Sequence, residues 1–243
     1  MTLRIPTTVR FGLGALAALV VTLPLSSFGR VSHGRTSVSS GSLGGFLPTR
    51  TPPEERAAVR RQLETKGRGT YIGEILASRD SSLARWPSRP DQPLSVWVQD
   101  ASNVEGFDST YSAEVRRAFK DWDALQLPVR FTFTRDSADA DIHVTFVDHF
   151  DEPISGRTLW SRDDHWWITD ANIVLAVYHR GGRILDYESM HAMSLHEIGH
   201  LLGLDHTADT NNIMASTVRV RELSPADRAT VKLLYTLPPG GVR

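Results

Sequence analysis

The segment HEIGHLLGLDH, residues 196–206, contains three histidines at a spacing that suits one metal ion. Residues four apart lie one above the other on a helix, so His196 and His200 can direct both imidazoles at the same ion. Gly203 can adopt the left-handed conformation that ends a helix, and the chain can then return His206 as a third ligand. Three protein ligands and one open position are typical of catalytic zinc. The segment therefore predicts one zinc site at the end of a helix.

Glu197 follows His196 directly, so its carboxylate leaves the helix next to the two histidines. There it can take a proton from a zinc-bound water, whose pKa the metal lowers towards neutrality, and pass it to a leaving amine. This arrangement predicts a zinc-dependent endopeptidase that hydrolyses internal peptide bonds, with Glu197 as general base. A secreted zinc-binding interaction module with little or no turnover is the alternative. Glu197 favours the enzyme, because a purely structural zinc site would not need that carboxylate.

The rest of the second half of the chain alternates between strand and helix patterns. Period-2 alternation or a short apolar run predicts strands at Leu94–Val98, Val129–Thr134, Ala140–Val147 and Ala171–Tyr178. Helical spacing and capping residues predict helices at about 53–66, 112–125, 187–202 and 225–235. Residues 148–168 have the composition of an acidic loop. The pattern indicates an α/β (α+β) fold in which a twisted mixed β-sheet packs on the active-site helix and on further helices.

The composition suits a soluble globular protein, with 40% hydrophobic and 23% charged residues. Residues 1–90 hold 13 basic and 5 acidic residues, whereas residues 91–243 hold 14 and 23. The basic residues form no dense run and are not interleaved with aromatic residues, so we expect no nucleic-acid partner. A protein or peptide substrate is the expected partner. Cysteine is absent, which excludes disulfides and thiolate metal ligands.

The N-terminus has the three-part layout of a signal peptide. Arg4 and Arg10 precede an uncharged, mostly apolar run at residues 11–25, and Ser27 and Gly29 are small residues at the two positions that a signal peptidase reads. We therefore expect cleavage and secretion. An uncleaved membrane anchor is the alternative, because the stretch without charge is about 19 residues long, near the length that spans a bilayer.

Composition also divides the chain into parts. Residues 30–53 are rich in Gly, Ser, Thr and Pro, and residues 78–93 are polar and rich in Pro, which indicates a linker and then a boundary. The expected organisation is a signal peptide at 1–29, a linker and candidate pro-segment at 30–90, the zinc peptidase domain at 91–237 and a C-terminal tail at 238–243.

The motif at residues 196–206 resembles the zinc signature of the metzincin peptidases, His-Glu-x-x-His-x-x-Gly-x-x-His. The resemblance implies a methionine in a tight turn beneath the metal site, and Met214 in the segment NIMA (212–215) fits that position. In this family the glycine and the methionine support the site without binding the metal. The resemblance thus implies a metzincin-like catalytic domain in which Gly203 and Met214 have that supporting role.

Within the metzincins the chain is most similar to the matrixins and their bacterial relatives, over roughly residues 91–237. The segment ADI (140–142) resembles a matrixin sheet segment, and LSPAD (223–227) resembles the start of the matrixin C-terminal helix. The resemblance implies that substrate binds in extended form along an edge strand of the sheet. The segment ANIVLAVY (171–178) is the candidate for that edge.

Two departures from the matrixin pattern concern latency and specificity. No cysteine is available to block the zinc, so a pro-segment within residues 30–90 would have to act in another way. Ala215-Ser216-Thr217 stands where animal matrixins have a Pro-x-Tyr wall, so the subsite preference stays open.

Further metal sites are less well indicated. Five aspartates can bind calcium, since hard cations take carboxylate oxygens, or can form a solvated loop: Asp148, Asp151, Asp163, Asp164 and Asp170. The spacing of three histidines does not match a second zinc site, and we expect them to pack or to face solvent: His143, His149 and His165. His191 lies off the ligand face of its helix and is expected at the surface.

Overall fold

A five-stranded mixed β-sheet with helices packed on it forms the structure, a computed structural model that describes residues 53–179 and 181–242. In chain order the elements are α1 (Pro53–Lys66), α2 (Ile72–Ser78), β1 (Ser82–Leu83), β2 (Leu94–Val98), α3 (Ser109–Asp123), β3 (Phe131–Thr134), a 3₁₀ helix (Ser137–Asp139), β4 (Ile142–Val147), β5 (Gly156–Arg162), β6 (Ile168–Ala176), α4 (Tyr187–Leu201), α5 (Pro225–Leu234) and β7 (Gly240–Gly241). All of them belong to one compact unit of the chain.

These elements confirm the prediction of a mixed α/β fold. β2 has the predicted bounds, and α1, α3, α4, α5, β3, β4 and β6 begin and end within three residues of theirs. Two helix starts follow from local hydrogen bonds. The Asp186 carboxylate accepts the N–H of Ser189 at the start of α4, and the Ser224 hydroxyl accepts the N–H of Asp227 at the start of α5.

The large sheet has the strand order β3-β2-β4-β6-β5, so β5 lies at an edge. β5 is antiparallel to β6, and the other neighbours are parallel. The prediction that residues 171–178 form an edge is wrong, because β6 is hydrogen-bonded to β4 on one side and to β5 on the other. The prediction of a loop over 148–168 is also wrong, since it contains β5. All seven β5 residues are half-exposed or exposed, and the strand lacks an apolar pattern.

Helix α4 is held between α3 and the segment that precedes β2. The indole of Trp122, on α3, donates a hydrogen bond to the carbonyl of Leu195 (3.0 Å). The indole of Trp86 donates to the carbonyl of Leu201, the last residue of α4 (2.9 Å). Both tryptophans are buried. These contacts fix the axis of the helix that presents the metal motif.

Gly203 lies just after the end of α4 and has a φ of +98°, a conformation that side-chain-bearing residues rarely adopt. A side chain here would also overlap the carbonyl oxygen of Ala84. The chain therefore turns sharply at this point, close against the segment that follows β1.

Residues 53–86 pack onto the sheet domain rather than extending away from it. Ile75 of α2 and Leu83 of β1 are completely buried. β1 pairs antiparallel with β7, with Leu83 opposite Gly240. Residues 240–241, which the sequence places in a tail, are therefore part of a small second sheet.

Asp227, in the first turn of α5, is completely buried, and its carboxylate joins three segments of the chain. It accepts hydrogen bonds from the backbone N–H of Ile213 (2.9 Å), the backbone N–H of Ser224 (2.8 Å) and the hydroxyl of Tyr71 (3.0 Å). Since Ile213 precedes Met214, the carboxylate fixes the methionine turn relative to α5 and to the start of α2.

The substitution Asp227→Ala should lower the free energy of unfolding of the metal-free protein by about 3 kcal/mol or more. Three donors would lose their acceptor, and an unsatisfied buried donor costs about 1–3 kcal/mol. Urea unfolding measures the change. Asp209→Ala, at an exposed position, is the control and should cost less than about 1 kcal/mol. Equal losses in the two variants would contradict the role assigned to Asp227.

Candidate metal centre

Three imidazole rings converge at the C-terminal end of α4. The Nε2 atom of His200 lies 3.1 Å from that of His196 and 3.2 Å from that of His206, and the remaining pair is 3.3 Å apart. A tetrahedral zinc ion with bonds of about 2.0–2.1 Å would hold its ligand nitrogens about 3.3 Å from one another. The three rings therefore fit a single zinc ion, and the structure brings together the three ligands that the sequence predicts.

The second nitrogen of each helical histidine faces a backbone carbonyl. Nδ1 of His196 lies 2.8 Å from the carbonyl oxygen of Ile213, and Nδ1 of His200 lies 3.1 Å from that of Leu204. A carbonyl can only accept, so each ring places its proton on Nδ1. The lone pair of each Nε2 is then free for a metal, as in most histidine ligands.

Burial keeps the two helical rings neutral in the metal-free protein. Loss of solvent lowers the pKa of His196 to about 4 and that of His200 to about 3, and the neighbouring imidazoles add to both shifts. A metal ligand must be deprotonated, so the two rings need not lose a proton when a metal binds near neutral pH. The ring of His206 is exposed and leaves one side of the site open.

Glu197 is buried beside the triad and is held by β5. The Thr158 hydroxyl lies 2.6 Å from its Oε2 and 2.9 Å from its backbone carbonyl, and donates to these acceptors. Burial raises the pKa of Glu197 to about 7, against the opposing effect of the Thr158 hydrogen bond. A side chain at Gly156 would overlap the carboxylate, so this end of β5 approaches Glu197 closely. The carboxyl group can thus exchange a proton near neutral pH.

The triad and Glu197 open into one cleft of about 640 Å³. β5 contributes a continuous part of its lining, with Thr158 and Trp160 among the residues that face it. Ser216–Val218, which follow the methionine turn, line it as well. The cleft therefore joins the metal centre to the free edge of the sheet.

Met214 is completely buried, and the turn that contains it supports two of the histidines. A side chain at Gly199 would overlap the Met214 sulfur, so the turn packs directly on α4 between the two helical ligands. The carbonyl of Met214 accepts the N–H of Thr207, next to His206 (3.0 Å). The turn thus contacts both the helix and the loop that carry the ligands.

Three residues of the site lie outside the predicted set: Gly156, Thr158 and Gly199. Gly199 sits inside the metal motif, where a glycine in a helix interior is a signal for close packing. No comparable signal marks Gly156 or Thr158, because their strand was not predicted.

Two further histidines, His191 and His143, lie outside the triad. His191 was expected at the surface, which is wrong: it is buried against α3, with Nε2 3.0 Å from Asp121 and Nδ1 3.4 Å from Glu114. His143 faces the carbonyl of Ser137 (2.8 Å).

In the part of the chain that the structure describes, the triad forms the only group of three side chains able to hold a metal, so calcium binding stays a prediction.

Known proteins provide an independent comparison. Metalloendoproteinase 1 of Glycine max is 26% identical over 153 residues, which cover 54% of this chain and 48% of that protein. Metalloendoproteinase 5-MMP of Arabidopsis thaliana is 27% identical over 181 residues, which cover 65% and 47%. The chain thus matches about half the length of these curated relatives.

The family model described as Matrixin matches residues 96–236, more than half of the chain. The matched region runs from β2 through the whole of α5 and includes the three converging histidines. On this match the chain belongs to the matrixin family.

Proposed function

We propose that this chain is a secreted zinc-dependent endopeptidase. The observation that carries the proposal is the convergence of three Nε2 atoms within 3.3 Å of one another in a cleft that also contains the buried carboxylate of Glu197. Matrixin membership supports it, as do the two plant relatives, whose names describe metalloendoproteinases.

Each residue of the site has its own role in the proposed reaction. His196, His200 and His206 would hold the zinc ion through Nε2. Zinc bound there supplies a Lewis acid that polarises the scissile carbonyl and acidifies water. Glu197 accepts the proton of the attacking water and delivers it to the leaving amine, a role that suits a carboxyl group whose pKa burial has raised towards neutrality. Thr158 holds that carboxylate in place.

The substrate would bind as an added strand on β5. The edge strand lines the cleft, and an extended peptide can pair with the free backbone groups of a sheet edge. Leu159, which is 60% exposed, lines the cleft between Thr158 and Trp160. This binding mode reads mainly the peptide backbone, so we expect an unfolded or extended polypeptide as substrate.

Replacement of Glu197 separates catalysis from metal binding. Glu197→Gln keeps the size of the side chain and an acceptor for Thr158, so it should retain about one zinc per chain. The rate of cleavage of an unfolded protein should fall by a factor of about 10² or more, because general acid–base catalysis contributes about 10²–10⁴. Metal analysis and a gel-based cleavage assay give the two readouts.

Glu188→Gln, at an exposed position on the same helix, is the matched control and should keep both zinc and activity. A Glu197→Gln variant that cleaves at the parent rate would refute the assignment of the general base. A parent protein that holds zinc and cleaves nothing would favour the binding-module alternative.

Export is the second part of the proposal. The predicted signal peptide, residues 1–29, lies outside the described residues. Within residues 53–179 and 181–242, no helix combines the length and the apolar character that a bilayer span requires. The support for export is therefore the charge and hydropathy pattern at the N-terminus.

Cleavage between Gly29 and Arg30 should leave a mature chain that begins at Arg30. N-terminal sequencing of the protein from the culture medium tests this. Gly29→Leu should block cleavage, because the peptidase accepts only small side chains there, and should leave the chain bound to the membrane fraction. An intact N-terminus on membrane-bound parent protein would instead establish the anchor.

A further inference from the structure

The loop that carries His206 is held by residues that precede the family match. The guanidinium of Arg79 donates from Nη1 to the carbonyl of Gly203 (2.8 Å) and from Nη2 to the carbonyl of Leu204 (3.0 Å). Its Nε lies 3.3 Å from the carboxylate of Asp205. One side chain thus binds three consecutive residues of the loop. The Arg79 side chain is only 15% exposed, so these contacts are largely shielded from water.

Asp205 connects Arg79 to the third ligand, His206. Its Oδ1 accepts the backbone N–H of His206 (2.8 Å), while its Oδ2 accepts the hydroxyl of Ser78 (2.8 Å) and faces Arg79. The carbonyl of Leu204, which Arg79 also binds, is the acceptor of Nδ1 of His200. Arg79 therefore contacts the groups that orient two of the three ligands.

Glu74 binds the other side of the same loop. Its Oε1 accepts the hydroxyl of Thr207 (3.1 Å), and its Oε2 accepts the backbone N–H of Ala208 (2.8 Å). Glu74 and Arg79 both belong to α2 or its C-cap, so a single short helix holds the loop before and after His206. Residues 203–208 form no helix or strand beyond one bridge at Thr207. The backbone N–H groups on either side of that residue, those of His206 and Ala208, are bound by the carboxylates of Asp205 and Glu74.

The segment that contains α2 is itself anchored at both ends. The hydroxyl of Tyr71, before α2, donates to the buried carboxylate of Asp227 (3.0 Å). The indole of Trp86, after β1, donates to the last carbonyl of α4 (2.9 Å). Residues 71–86, named here the supporting segment, thus join α5, the His206 loop and the metal helix.

We infer that Glu74 and Arg79 are positioning residues of the metal centre, and that the supporting segment stays in the active protein when any pro-segment is removed. The positioning role rests on the proposed metal site but not on peptidase activity, whereas the retention of the supporting segment rests on the proposed function as a whole. Its physical basis is that a ligand from a loop binds metal tightly only when the loop is fixed beforehand, and partners beyond the ligands typically contribute a factor of 10–100 in metal affinity.

Zinc affinity of the full chain, measured by competition with a chelator, tests the positioning role. Arg79→Gln and Glu74→Ala should each weaken zinc binding about 10- to 100-fold. Arg68→Gln and Glu64→Ala, both exposed and N-terminal to the supporting segment, are the matched controls and should bind as the parent does. Arg79→Lys should be intermediate, because an ammonium keeps the charge beside Asp205 but lacks the planar fork.

Cobalt substitution separates positioning from general stability. The visible spectrum of the Co²⁺ form reports ligand geometry, and Arg79→Gln should change it while unfolding in excess EDTA stays cooperative. Zinc affinities of Arg79→Gln and Glu74→Ala within twofold of the parent, with an unchanged cobalt spectrum, would overturn the inference. A parent that binds zinc without cleaving peptides would refute the proposed activity and leave these two measurements fully informative.

The inference that the supporting segment stays in the active protein has its own test. The N-terminus of the active form, determined by mass spectrometry, should lie at or before Tyr71. A fully active form that begins after Arg79 would overturn it.

Discussion

Three nitrogen lone pairs must meet at one point, and a helix can supply only two of them. His196 and His200 are four residues apart on α4 and share a face, whereas His206 comes from the loop beyond the helix. Even the two helical rings depend on that region, because the carbonyls of Leu204 and Ile213 set their orientation. The metal geometry therefore depends on how the chain between residues 203 and 214 is held.

Charged side chains hold this stretch because apolar packing alone could not. A segment without helix or strand leaves N–H and C=O groups unpaired, and these are costly when buried. Within this stretch Asp227 accepts one backbone N–H, Arg79 donates to two backbone carbonyls and Glu74 accepts one backbone N–H. The ionised groups make stronger hydrogen bonds than neutral ones. Two of them lie in the segment 71–86, so the metal centre extends beyond the region with family resemblance.

The sequence predicts the features that depend on local residue patterns, and it does not predict those that depend on contacts with residues far away in the chain. The metal motif, the caps of α4 and α5 and the strongly apolar strands all follow from residue order. The sequence does not predict β5 because none of its seven residues is buried, so the strand lacks the apolar alternation of a half-buried strand. His191 was misplaced because the carboxylates that pair with it lie on α3, about 70–80 residues earlier. The supporting segment lies within the predicted linker and candidate pro-segment, and only the fold shows that Arg79 faces the His206 loop.

Glu197 lies between the candidate metal centre and the sheet edge, and its surroundings have opposing effects on the pKa of its carboxyl group. Burial favours the neutral carboxyl group, while the Thr158 hydroxyl favours the carboxylate. A divalent cation in the triad would favour the carboxylate further, because opposite charges nearby stabilise the ionised form. The proton affinity of this group is thus coupled to the metal. Since Thr158 belongs to β5, a peptide pairing with that edge would bind the same strand that positions the Glu197 carboxylate.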